Sequence, residues 1–227
     1  MRGMTLRRMI TMGALALFAC ATARAAPQTA TTPATAPVAA DTTTPKGTLK
    51  LLSAAMERGD VDAMRALMLA DDPVEQKMVA AQIGQAAAFA QFRRALVGTF
   101  GQQALDDLIG PSPSADQRNT VFDAAPQKLD GDRATVSVEK DEYELKKVDG
   151  KWMLTLTSMA KSVEPAVLDQ SLRELTVKSE VMAEVALEIE QGKYRNTDEV
   201  GQAIQGKMMS ALMREAAATQ GATTQKS

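Results

Sequence analysis

The stretch Glu139-Lys140-Asp141-Glu142-Tyr143-Glu144 sets four carboxylates beside a phenol, so it is the first place to look for chemistry. A hard cation such as calcium or magnesium needs several oxygens at fixed spacing. Lys140 interrupts the run, no Asp-x-Asp-x-Asp-Gly loop is present, and the segment falls at the tip of a hairpin. A solvated turn is the stronger reading, and no metal is expected. Asp130-Gly131-Asp132 reads as a turn before it reads as a ligand set, and Asp106-Asp107 as part of a solvated helical face. The chain contains no histidine. Ser-His and Cys-His nucleophile pairs, histidine metal sites and the usual proton carrier near neutral pH are therefore all missing. No glycine-rich phosphate loop, Ser-x-x-Lys or Gly-x-Ser-x-Gly occurs, and no cofactor is implied.

The one cysteine, Cys20, lies in the leader. Arg2, Arg7 and Arg8 precede a short apolar run from Met9 to Ala21, and Ala23-Arg24-Ala25 offers a small-x-small cleavage site. This order is that of a secretory signal peptide over residues 1–25, and the run is too short for a permanent span. Leu17-Phe18-Ala19-Cys20 also looks like a bacterial lipoprotein signal, which makes Cys20 a lipidation candidate. The plainer expectation is that Cys20 leaves with the leader, giving an exported periplasmic or extracellular protein. The leader holds four of the 26 basic residues and no acid, so the mature chain carries 22 basic against 28 acidic residues. A net charge near −6 with no Lys/Arg block speaks against nucleic acid and anionic membranes as partners. No later stretch has the ~20 apolar residues of a membrane span.

Residues 26–45 are rich in Ala, Thr and Pro and read as a flexible linker. Leu49, Leu52 and Met56 recur at helical spacing up to Gly59. Asp60 then caps a helix with Val61, Met64, Leu67 and Met68 on one face. Asp72-Pro73-Val74-Glu75 predicts a capped helix to about Thr99, with Met78, Val79, Ile83, Ala86, Phe89, Ala90 and Leu96 toward the core. A short helical piece precedes Gly110-Pro111, and Thr120–Asp123 reads as a short strand. The period then changes to two: Ala134, Val136 and Val138 share a face, as do Tyr143 with Leu145, and Trp152 with Leu154 and Leu156. Asp130-Gly131 and Asp149-Gly150 mark tight hairpins. Helices followed by an antiparallel meander make the class α+β. Two further helices, 167–191 and 196–218, are predicted to form an antiparallel hairpin before a flexible tail at 220–227.

Gly59-Asp60-Val61-Asp62-Ala63-Met64 and the closing Leu145-x-x-Val148-Asp149-Gly150-x-Trp152 resemble the nuclear transport factor 2-like superfamily, in its secreted bacterial branch. The resemblance implies N-terminal helices packed in a curved antiparallel sheet, a cone, over residues 46–163. The C-terminal helical hairpin, 164–219, would be an addition packed on that domain. It also implies an interior pocket, for which Phe89, Tyr143, Trp152 and Leu154 are the candidate lining residues, and a homodimer formed through the sheet. Met153 and Met159 with Met182, Met208, Met209 and Met213 would either line an apolar groove or fill the core where the hairpin covers the sheet's outer face. The expected function is an exported, non-catalytic binding or interaction module for a protein partner or small ligand. The alternative is an enzyme or carrier for a small apolar ligand held in the cone by Tyr143 and a carboxylate.

Overall fold

The structure, a computed structural model, describes residues 40–224. The leader, Cys20 and most of the Ala/Thr/Pro segment lie outside the described residues. Among those described, eight helices and a five-stranded sheet form a mixed α+β fold.

Helix α1 (Pro45–Arg58) starts where the Thr44 hydroxyl accepts the Gly47 N–H and Pro45 fixes the first helical φ. The chain is already fixed just before it, because the Thr42 carbonyl accepts the Trp152 N–H at 2.8 Å. The ordered domain thus reaches back into the segment expected to be linker. Gly59 closes α1 in the left-handed region, φ +68°, with its α-carbon so close to a neighbour that an added Cβ would sit 2.9 Å from Ala90 Cβ. Glycine is needed there both for the turn and for the approach. Asp60 caps the next helix, α2 (Val61–Leu67), through the Ala63 N–H. That helix stops one residue short of expectation, and Met68 enters a strand, β1 (Met68–Leu69).

Helix α3 (Pro73–Phe100) follows its Asp72 cap, then come α4 (Gln102–Ile109) and α5 (Ala115–Ala124). The last replaces the strand expected at Thr120–Asp123. Ser114 and Gln117 form a reciprocal capping box that starts it, and the β-branched Thr120-Val121 pair is absorbed once Phe122 is buried. Salt bridges and a carbonyl contact pin α5 to α1: Lys50 lies 2.7 Å from Asp123, and Lys46 donates to the Asp123 carbonyl. Glu57 of α1 pairs with the buried Arg118 of α5.

The meander is β2 (Gln127–Asp130), β3 (Arg133–Val138), β4 (Asp141–Val148) and β5 (Lys151–Thr155), antiparallel throughout. Asp149 and Gly150 both take positive φ, 49° and 81°, as a two-residue hairpin requires. The strand order is β1-β5-β4-β3-β2, with β1 parallel to β5, so the sheet is not wholly antiparallel. The Thr48 hydroxyl accompanies the Thr42 carbonyl along the same edge, donating to the Trp152 carbonyl at 3.0 Å. Helix α6 (Thr157–Ser162) occupies the end of what reads in sequence as strand.

Helix α7 (Pro165–Glu190) and α8 (Thr197–Thr224) complete the chain, with α8 running on through the expected start of the tail at 220. Apolar residues fall into two cores. Leu49, Leu52, Met64, Met78, Ile83, Phe122 and Leu168 pack on one face of the sheet through Val136, Leu145, Trp152 and Leu154. Phe92 and Leu96 of α3 meet Leu105, Val181, Val185, Ile189 and Val200 in the other. Helices α3 and α7 therefore run side by side in the same direction, each from the first core into the second. The hairpin packs on α3 and α4, not on the sheet's outer face. The methionines accordingly do not gather: Met159 joins the first core, Met182 and Met208 the second, and Met209 and Met213 are 58% and 65% exposed.

At the hairpin's tip Glu188 accepts from the Tyr194 hydroxyl and pairs with Lys193 and Lys207. The Tyr194 bond first, then the two lysines, outweigh desolvation and bring the Glu188 carboxyl down to about 2. A carboxyl lowered on folding stabilises above its ordinary value of 4.5 and loses that contribution as pH falls toward 2. Amide exchange across the α7–α8 tip, corrected for intrinsic rates, should quicken between about pH 4.5 and pH 2. In Glu188→Gln this pH step should vanish, and an unchanged step would show that another group drives it. Separately, Gly59→Ala should cost about 1–3 kcal/mol in urea unfolding followed by Trp152 emission.

Candidate functional site

The four predicted pocket residues do not form one pocket. Tyr143, Trp152 and Leu154 are buried together in the first core, at 8%, 5% and 2% exposure. Phe89 belongs to the second core, its ring centroid 6.4 Å from that of Phe92. Trp152 plugs the sheet face: Lys147, its cross-strand partner, holds its ammonium 5.8 Å from the indole centroid. Burial, then the charges of Asp141 and Glu139, push the Tyr143 phenol up to about 12. A proton-transferring tyrosine would be tuned the other way, toward working pH.

The other face of the sheet is polar. Strand register sets Lys128, Thr135, Glu144 and Thr155 in one row across β2, β3, β4 and β5, and Asp130, Arg133, Lys146 and Met153 in the next. With strands ~4.8 Å apart, each row spans about 14 Å. Two elements outside the meander wall this face in. The chain from Asp71 to Glu75, leading from β1 into α3, closes one side, and Ser158 and Lys161 of α6 stand over it. Together they enclose a cleft of about 450 Å³, a size in the range of small-molecule sites.

Its groups are held by specific bonds. Ser158 Oγ lies 2.6 and 2.5 Å from the two Glu144 oxygens, and the Thr155 and Thr157 hydroxyls are 2.6 Å apart. Lys146 reaches Asp71 at 3.0 Å. Glu75, only 1% exposed, uses one oxygen to accept the Asp71 N–H at 2.7 Å, completing the α3 cap. Among the described residues its other oxygen has no hydrogen bond, and the residue lines the cleft. Lys128, Arg133 and Lys161 form no ion pair among the described residues. Ser158 sits beside a carboxylate but with no histidine to take its proton, so the arrangement suits binding through hydrogen bonds and charge.

Sequence reasoning aimed at the apolar face and missed these residues. The signal was present in the polar partners of the alternation, Arg133 and Thr135 on β3 and Glu144 and Lys146 on β4, whose register the two-residue turns determine. A second, more open groove of about 710 Å³ lies between α3 and α7, where Ala80, Ala81 and Gly84 face Thr176 and Val177. No helix among the described residues is long and apolar enough to cross a membrane. No protein-family model, curated protein or solved structure matches the chain.

Both tyrosines of the chain are shifted upward, Tyr194 also to about 12 by burial and its bond to Glu188. A phenol raised on folding stabilises below its ordinary value of 10 and loses that contribution as pH climbs toward 12. Native protein should therefore show no tyrosinate absorbance step near pH 10, while protein in urea shows the full step there. A native step at pH 10 would mean that one phenol is solvated.

Proposed function

We propose that this chain is an exported, non-catalytic binding or interaction module, built on a nuclear transport factor 2-like plan with a C-terminal helical hairpin added. The leader sequence supports export. The observation that carries the reading is the occupied interior: the positions where a cone pocket would open hold Tyr143, Trp152 and Leu154 packed against Leu145, Val136, Ile83 and Phe122. Of the two concave surfaces described above, neither is lined by Tyr143, Trp152 or Phe89. The raised phenol of Tyr143 and the lack of any histidine count against proton transfer. Binding then belongs to the surface, and the sheet's polar face is its strongest candidate.

Xenon tests the closed interior, because it enters dry apolar cavities. Under xenon, the Trp152 indole N–H and the Leu145 and Leu154 methyl resonances should not shift in a saturable way. A saturable shift at Trp152 would restore an apolar-ligand pocket and overturn the reading.

A further inference from the structure

Charge is not evenly spread across the sheet's polar cleft. Along the strand order the β1 side is acidic, with Asp71, Asp72 and the buried Glu75. The β2–β3 side carries Lys128 and Arg133, together with Asp130. Between them lies a floor of hydroxyls, Thr135 and Thr155, around Glu144. Two features leave this cleft unsatisfied. Glu75, nearly fully buried, lines the cavity and has one oxygen without a hydrogen bond among the described residues. A free carboxylate oxygen there calls for a donor, best a cationic one. At the other side Lys128 and Arg133 form no ion pair among the described residues, although Asp130 lies opposite Arg133 in the register. Lys146, opposite Arg133 on β4, is already paired with Asp71 at 3.0 Å, so the unmatched cations are Arg133 and Lys128, and an anion on that side would match them.

We propose that the cleft binds a small zwitterion with separated charges, a short peptide with free termini. Its ammonium lies at the Glu75 oxygen, and its carboxylate lies at Arg133 and Lys128. From β1 to β3 is three strand spacings, about 14 Å. Once side-chain reach at both ends is subtracted, the ligand fits a chain of two or three residues at ~3.3–3.6 Å each. The hydroxyls of Thr135 and Thr155 face its backbone, and the sheet's apolar face plays no part. This rests on the reading of the protein as a surface binder, but its failure is separable from that reading: peptides probe the polar face and xenon the other.

Calorimetry of the mature chain with trialanine, its N-acetyl form, its C-terminal amide and the doubly blocked peptide tests the site. Trialanine should bind, and each block should weaken binding about tenfold or more, the scale of a lost charge-assisted hydrogen bond. The doubly blocked peptide should not bind measurably. Lys128→Glu with Arg133→Glu, both at exposed positions, should erase the preference for the free carboxylate and keep the preference for the free amine. Glu75→Gln retains an acceptor for the Asp71 N–H and should do the reverse. No heat with trialanine at millimolar concentration overturns the proposal. So does binding that is indifferent to both blocks, or indifferent to the Lys128 and Arg133 changes.

Discussion

The architecture depends on one long helix that no single layer can cover. Twenty-eight residues make α3 about 42 Å long, whereas five strands at ~4.8 Å spacing give a sheet about 20 Å wide. The first half, through Met78, Val79 and Ile83, lies under the sheet. The second half carries Phe92, Ala95 and Leu96, all nearly without exposure, and something else must cover them. Burying side chains of this size is worth ~1.5–3 kcal/mol each, so the second half cannot be left in water without a cost comparable to the stability of a whole domain. Helices α4, α7 and α8 supply the cover. The hairpin is thus a structural necessity of α3, and this explains why it leaves the sheet's outer face open.

That division makes the sheet two-faced in chemistry. One face is sealed by large side chains, and even the backbone of Trp152 is satisfied, its N–H by Thr42 and its carbonyl by Thr48. The other face keeps charges and hydroxyls in ordered rows, with room above them. A side chain such as Glu75 joins the two: its carboxylate sits in the first turn of α3, in the favourable field of a helix N-terminus, where it accepts the Asp71 N–H, and the residue lines the cleft. The same residue that starts the helix under the core thereby shapes the candidate site on the far side.

Local chemistry was readable wherever a cap or turn decided it. Thr44-Pro45, Asp60 and Asp72-Pro73 start α1, α2 and α3, and Asp149-Gly150 turns β4 into β5. Inward positions of β3, β4 and β5 followed from alternation. Reading failed at α5, where two prolines hid the Ser114–Gln117 capping box and β-branched residues suggested a strand. It failed at β1, since two residues carry no periodicity and the strand exists only through pairing with β5. Periodicity picks out Phe89 and passes over Phe92, because helical spacing alone does not tell which of two nearby aromatics meets a partner that starts some 90 residues later.

By itself, the sequence determined the helix starts, the hairpin turns, the α+β class and the absence of histidine chemistry, all of which depend on residue identity over a few positions. Only the tertiary structure decided that the pocket candidates are core, that the hairpin covers α3, and that Asp71–Glu75 and α6 close over the polar rows of the sheet. Those outcomes depend on contacts between segments far apart in the chain. Whether a surface is covered or open is a property of how layers pack, and periodicity reports only that a face exists.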